Sequence, residues 1–152
     1  FTTLTVEQNL VLAARRFAGD RAAAVETQLA RFPFLAERAT VKARGLSGGQ
    51  RQSLALAMAL VAKPSLVLMD EPTAGLSPKA AKEALGLIHS VASAGVSVLL
   101  VEQNARAALD LADRAYVLAE GRVRHQGEGR ALLADPQIGA IYLGLRRAGA
   151  AA

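Results

Sequence analysis

The sequence predicts an α/β fold in which a helical part precedes part of a parallel-sheet core, with a terminal hairpin and short helices. Three observations lead to this prediction. Two Ser/Thr-x-x-Gln pairs, at residues 5–8 and 47–50, open helical patterns within the first 63 residues. After Pro64, an apolar strand, a helix and a second apolar strand follow in the order of a βαβ unit. The dipeptide at residues 120–121 then separates two short strand patterns, which is typical of an antiparallel hairpin.

Residues 1–63 are predicted to form a helical subdomain. A capping box at Thr5 and Gln8 starts the first helix, and Gly19-Asp20 ends it and caps the second. Pro33 breaks the second helix. The remaining expectations are an apolar face of Val6, Leu10, Val11 and Ala14 on the first helix, Val25 and Leu29 on the second, a short helix and loop over 34–45, and a helix over 50–62.

Residues 64–147 are predicted to form part of a sheet core, and residues 148–152 a frayed end. Gly95 ends the central helix, and Asn104 caps the helix that follows the second strand. The predicted elements are strands at 66–70, 96–102, 115–119 and 122–125, a central helix over 78–93, and two short final helices, the second starting at Asp135-Pro136.

Composition narrows the class of protein. The chain has 152 residues, of which 52% are hydrophobic and 20% charged, so it can bury one sizeable core. Because it contains no cysteine, disulfides and cysteine-based zinc sites are excluded. Apolar runs such as Leu54–Ala62 and Val96–Val101 are far shorter than the roughly 20 residues that cross a bilayer. We therefore expect any membrane association to be peripheral.

The segment Leu46-Ser47-Gly48-Gly49-Gln50 has the features of an anion site. Ser47 and Gln50 form a capping pair at a helix N-terminus, and the glycines between them leave backbone amides open to a phosphate. Alone, the segment could also be an ordinary capped helix with a flexible glycine entry. Its position before a second polar motif favours the anion site.

That second motif is the pair Asp70 and Glu71, which follows the apolar run Leu66–Met69. A buried strand thus delivers two carboxylates to the edge of a parallel sheet, where oxygen ligands suit magnesium. The two side chains diverge where the strand ends and can therefore take different roles. A purely helix-capping acidic pair is the alternative, and the apolar run and Pro72 disfavour it.

Together the two motifs resemble the ATP-binding subunit of ATP-binding cassette (ABC) transporters, whose signature sequence matches Leu46–Gln50 and whose Walker B strand matches Leu66–Glu71. The resemblance implies the helical subdomain and the C-terminal part of a P-loop NTPase (RecA-like/ABC) core, with ATP and Mg²⁺ as cofactors. It also implies individual roles: Asp70 holds magnesium, Glu71 orients the attacking water, and Ser47, Gly48, Gly49 and Gln50 bind the γ-phosphate of a nucleotide held by a second subunit.

Two positions depart from the commonest pattern of the family. Ser77 follows Leu76 where many members carry an aspartate in the loop that crosses the dimer interface. Ser77 can contact the nucleotide across that interface, cap the helix that starts at Pro78, or do both. Gln103 occupies the place of the switch histidine. It can still donate a hydrogen bond to phosphate or position water, but it cannot become cationic; the alternative is a polar loop residue beside Asn104.

Strings at residues 5–10, 101–105, 111–114 and 142–144 resemble the second ATPase subunit of branched-chain amino-acid importers. This branch implies coupling of MgATP-driven dimerisation to permease movement at the cytoplasmic face of the inner membrane. Its partners would be a second ABC ATPase subunit, integral-membrane permeases and, indirectly, a solute-binding protein. Related members are assigned to urea or other amide-like solutes, so the solute stays open.

The 152 residues contain no P-loop pattern Gly-x4-Gly-Lys-Ser/Thr, and they open on Phe1 rather than on Met. We therefore expect a C-terminal portion of a longer subunit. In isolation it should be inactive as an ATPase, because Asp70 and Glu71 lack a phosphate cradle to work against.

Two rival functions remain. A soluble ABC-type ATPase acting on nucleic acid or ribosomes would use the net charge of +5, but the arginines are scattered and no coiled-coil insertion or tandem cassette is visible. We therefore expect no nucleic-acid partner. The other rival is a non-catalytic, truncated interaction fragment. His89 and His125 have no second ligand at metal-binding spacing and are expected to be surface residues.

Overall fold

A computed structural model describes residues 1–15 and 19–138 of the chain. The chain divides into two compact units, Phe1–Leu99 and Leu100–Ala152. The predicted boundary between residues 63 and 64 separates a helical part from a part that contains strands. It is a different kind of division from these compact units, and it remains a prediction. The expected frayed end at 148–152 and most of the expected final helix lie outside the described residues.

The first unit begins with helices. Thr5 and Asp20 cap the first two helices as predicted, but the first helix ends at Ala14, before the predicted end at Gly19. Pro33 opens the third helix as well as ending the second. The last helix starts two residues earlier than predicted, at Gly48, because Ser47 is its N-cap. These elements are α1 (Val6–Ala14), α2 (Arg21–Arg31), α3 (Pro33–Ala36), a 3-10 turn (Ala43–Gly45) and α4 (Gly48–Leu60).

The buried face of α1 differs from the prediction at one position. Val11 is 52% exposed, whereas Asn9 is completely buried. The Asn9 Nδ2 donates to the carbonyl oxygens of Thr5 (2.8 Å) and Leu4 (3.4 Å). These bonds permit a polar side chain in the core, since an unpartnered buried amide costs about 1–3 kcal/mol.

The segment before α1 pairs with the segment that leads into α4. The Val6 amide donates to the Val41 carbonyl (3.0 Å), and the Ala43 amide donates to the Leu4 carbonyl (2.9 Å). Between these bonds lies an isolated antiparallel bridge. The start of the chain therefore braces the approach to Ser47.

A strand–helix–strand unit follows α4, as predicted. It consists of β1 (Leu66–Asp70), α5 (Pro78–Ser93) and β2 (Ser97–Val101), and β1 and β2 are hydrogen-bonded neighbours in one sheet. Gly95, with φ of +91°, reverses the chain after α5 as a C-cap glycine does.

The sheet formed by β1 and β2 is covered on one face. On the covered face Val67 is buried, and Met69 lies with Leu56 of α4 and Ile88 of α5 around a small cleft. The other face of β1 is apolar yet open to solvent, with Leu68 68% exposed. The other large exposed residues of this face in the first unit are Leu66 and Leu99.

The second unit contains α6 (Ala105–Leu111), β3 (Ala115–Ala119), β4 (Arg122–Gly127) and α7 (Gly129–Ala134). β3 and β4 form the predicted antiparallel hairpin, and β4 runs two residues past the predicted end at His125. Leu109, Leu132 and Ile138 form the core of this unit. Within residues 1–15 and 19–138, every helix is too short or too polar to cross a membrane.

Candidate functional site

The N-terminus of α4 carries the glycine motif. The Gln50 amide donates to Ser47 Oγ (3.3 Å), and the Ser47 amide donates to Gln50 Oε1 (3.0 Å), so the predicted capping box is confirmed. The amides of Gly48 and Gly49, at the first two helical positions, have no acceptor within the helix. This turn therefore presents two backbone donors at the positive end of a 13-residue helix dipole.

Both glycines also lie against α5 and the residue that precedes its cap. A Cβ atom at Gly48 would lie 2.9 Å from Leu76 Cδ2, and one at Gly49 would lie 3.2 Å from the Ala80 Cβ. The missing side chains thus leave room for two residues of the same chain. The sequence pattern predicts phosphate access or a flexible helix entry for these glycines, and it carries no sign of their contacts with Leu76 and Ala80.

Arg51 and Ser53 brace the same turn from within α4. The Arg51 guanidinium donates to the Leu46 carbonyl, just before the cap, and Ser53 Oγ donates to the Gly49 carbonyl (3.1 Å). Leu46 itself is buried. The backbone on both sides of Ser47 and Gly48 is therefore held by side chains of α4.

The stretch of sequence that contains the motif is basic. No acidic residue occurs between Glu37 and Asp70, and α4 has no acidic side chain in its first turn. A positive surface raises the local concentration of anionic ligands. The exposed basic residues of this stretch are Arg38, Lys42, Arg44, Arg51 and Lys63.

Asp70 and Glu71 stand where β1 ends. Asp70 is exposed and Glu71 half-buried. Glu71 has a φ of +45°, in the left-handed region, which costs a residue with a side chain about 1–2 kcal/mol. Such strain is typical of functional positions, where the surrounding structure holds the residue in place. No signal in the sequence predicts it.

A compact loop joins Glu71 to α5. The Ala74 amide donates to the Glu71 carbonyl (3.0 Å), and the Leu76 amide donates to the Thr73 carbonyl (3.2 Å). Ser77 then caps α5, accepting from the Ala80 amide (3.3 Å). The capping role considered for Ser77 is thus confirmed, and its role at a dimer interface stays a prediction.

The described residues therefore form two groups in the first unit. Ser47, Gly48, Gly49 and Gln50 lie against the start of α5, which Ser77 caps, whereas Asp70 and Glu71 lie at the end of β1. Gln103 belongs to the second unit, in the exposed segment after β2, and its carbonyl accepts from the Ala105 amide (2.8 Å). Each assigned chemical role remains a prediction.

The donor set fits a phosphate group and part of a magnesium site. The amides of Gly48 and Gly49 are suited to phosphate oxygens, and the Asp70 carboxylate is a hard oxygen ligand. In the part of the chain that the structure describes, no three His, Cys, Asp or Glu side chains cluster as a metal site. Magnesium commonly completes its shell with water and substrate phosphates, so a single carboxylate is compatible with it.

A capped glycine motif at a helix N-terminus, followed by a strand that leads into two carboxylates, matches the signature sequence and the Walker B strand on which the resemblance to ABC ATP-binding subunits rests. The sequence profile of the family described as "ABC transporter" matches residues 1–74. The chain belongs to the ABC transporter family of ATP-binding proteins.

Individual relatives agree with this assignment. The chain is 44% identical, over 95% of its length, to the high-affinity branched-chain amino acid transport ATP-binding protein BraG of Pseudomonas aeruginosa, and it spans 62% of that protein. It is 40% identical to the probable branched-chain amino acid transport ATP-binding protein LivF of Archaeoglobus fulgidus, with the same coverage of both chains.

Among solved structures, the ADP conformation of MJ1267, an ATP-binding cassette of an ABC transporter, superimposes with a TM-score of 0.75 at 26% identity. The match covers 94% of this chain and 64% of that cassette. The predicted fold class is confirmed. The chain spans somewhat less than two thirds of the length of the relatives that it matches.

Proposed function

We propose that this chain is part of the ATP-hydrolysing subunit of an ABC importer, with branched-chain amino acids as the solute class. The observation that carries the proposal is the α4 N-terminus, where a complete capping box holds two glycine amides at a positive helix end. The names of the two relatives, both branched-chain amino acid transport proteins, support the solute class.

In this proposal the two groups of residues act on different ATP molecules. Ser47, Gly48, Gly49 and Gln50 contact the γ-phosphate of ATP held by a second ABC ATPase subunit, and Ser77 adds to that contact. When magnesium is bound, its charge offsets that of the phosphates, and Asp70 would help to hold it. Glu71 orients and polarises the attacking water, and Gln103 donates a hydrogen bond to phosphate or water.

The movement that closes the ATPase dimer is then transmitted to the integral-membrane permeases. The helices of residues 1–63 carry this movement, and the braced segment Phe1–Leu4 lies near the docking site of the permease. A solute-binding protein acts indirectly through the permeases. The proposed location is peripheral, at the cytoplasmic face of the inner membrane.

The exposed face of β1 and β2 supports the proposal that more of the subunit is needed for activity. Parallel sheets of α/β proteins are covered on both faces, yet Leu66, Leu68 and Leu99 face solvent. We expect the codons upstream of Phe1 to encode, in frame, a Gly-x4-Gly-Lys-Ser/Thr pattern. The 152 residues alone should hydrolyse ATP poorly, and a stop codon there would favour the interaction fragment.

The test of the proposed function is Glu71→Gln in the full-length subunit. Loss of a positioned general base should lower the hydrolysis rate by about 10²–10⁴-fold and spare ATP binding. Glu83→Gln, which removes an exposed carboxylate from α5, is the matched control and should leave the rate unchanged. Equal hydrolysis by the Glu71→Gln variant and the unmodified subunit would contradict the assignment.

A further inference from the structure

The contact between α4 and the start of α5 joins the two groups of predicted site residues. Glu71 leads through two turns to Leu76, whose Cδ2 occupies the space beside Gly48. Pro72 and Thr73, within this loop, are both buried. The carboxylate of Glu71 and the amides of Gly48 and Gly49 are thus linked by a short, packed path.

The two glycines differ in how tightly they are enclosed. The atom facing Gly48 is the end of a half-buried leucine side chain, which can rotate away. The atom facing Gly49 is the Cβ of Ala80, with the Ala80 Cα at 3.9 Å and its carbonyl oxygen at 4.0 Å, so only movement of a helix can make room. A methyl group at Gly49 would therefore displace the α4 N-terminus, whereas one at Gly48 would displace Leu76.

We propose that Leu76 and Ala80 are positioning residues that hold the α4 N-terminus in register with the loop carrying Glu71, and that Gly48 and Gly49 lack side chains in order to admit them. This inference rests on the proposed ATP hydrolysis. It assigns the glycine requirement to packing within one chain, whereas the resemblance assigns it only to approach of the nucleotide.

A pair of rescue experiments in the full-length subunit separates these two explanations. Gly49→Ala should lower kcat per folded subunit by at least about tenfold, and Ala80→Gly in the same chain should restore most of it. Gly48→Ala should have a smaller effect, and Leu76→Ala should relieve it. Each rescue should be specific, so Leu76→Ala should not rescue Gly49→Ala.

Ala81→Gly is the matched control for Ala80→Gly. It weakens the same turn of α5 equally but removes no methyl group that faces Gly49, so it should not restore kcat. Gly86→Ala, where a Cβ would meet no atom within 4 Å, should leave kcat unchanged. Together these variants distinguish a local contact from a general change in helix stability.

Different results would overturn the inference and the proposed function. An unmodified subunit that does not hydrolyse ATP would overturn the proposed function and, with it, the positioning role. An active subunit in which Ala80→Gly restores only the unfolding midpoint, and not kcat, would show a merely structural contact. If neither quantity is restored, Gly49 is required for nucleotide approach alone, which also overturns the inference.

Discussion

The helices α1 and α4 begin with the same capping box but with different first turns. In both, a Ser or Thr side chain accepts from the third helical amide and a Gln side chain accepts in return. The first turn of α1 contains Val6, which is buried, and Glu7, which places a negative charge on the helix dipole. That of α4 contains only Gly48 and Gly49 before Gln50.

This difference separates a structural helix start from a candidate binding site. The dipole of α1 is offset by its own carboxylate, and its first turn anchors the helix in the core. The dipole of α4 is offset by no acidic side chain in its first turn. A capping box is therefore not a sign of function by itself. The residues between its Ser or Thr and its Gln determine whether the helix start can bind a ligand.

The largest expected difference between the two helix starts is in catalysis. In the full-length subunit, Ser47→Ala should lower ATP hydrolysis by about 10–100-fold, because a hydrogen bond to a charged group is worth about 1.5–3 kcal/mol. Thr5→Ala, which removes the equivalent hydroxyl from α1, should change it less than about twofold. Steady-state rates at saturating ATP measure both. Similar losses of ATP hydrolysis in the two variants would mean that the starts of α1 and α4 do not differ in function.

A smaller and equal effect is expected on stability. Thr5→Ala and Ser47→Ala should each reduce the free energy of unfolding by about 1 kcal/mol, the usual contribution of an N-cap side chain. Urea titration of the full-length subunit, followed by circular dichroism, measures this. A much larger cost at Ser47 would mean that its catalytic effect reflects folding.

The smallest expected effect has opposite signs for stability and activity. Gln50→Glu keeps a capping box and adds a negative charge to the first turn of α4, which should raise the free energy of unfolding by about 0.3–1 kcal/mol. The same charge should repel phosphate and lower hydrolysis. Gln8→Glu on α1 is the control, stabilising by a similar or smaller amount without loss of activity. A Gln50→Glu subunit with full activity would argue against phosphate binding at α4.

Much of the fold could be predicted because it is encoded by neighbours in sequence. The bounds of β1 and α5 match the prediction, and so do the caps at Thr5, Ser47 and Asn104. A cap joins a side chain to an amide three residues away, so its partners are visible in a short pattern. The β3–β4 hairpin is equally local.

Other features have no signature in the hydrophobic pattern of the sequence and could not be predicted. Asn9 is buried in place of Val11 because carbonyl groups of the preceding segment satisfy its amide. Helical periodicity alone predicts that Val11 lies on the buried face of α1. The left-handed backbone of Glu71 likewise has no signature in the sequence, since glutamate ordinarily avoids positive φ.

The sequence by itself determined the family, the order of the elements and the residues that could carry the chemistry, because these depend on motif identity and on short-range hydrogen bonding. Only the tertiary structure decided what surrounds those residues. Gly48 and Gly49 look identical in the sequence, yet one faces a flexible leucine and the other the rigid Cβ of a helix. The physical reason is that side-chain volume is filled by whichever residues the fold brings near, and these lie far away along the chain.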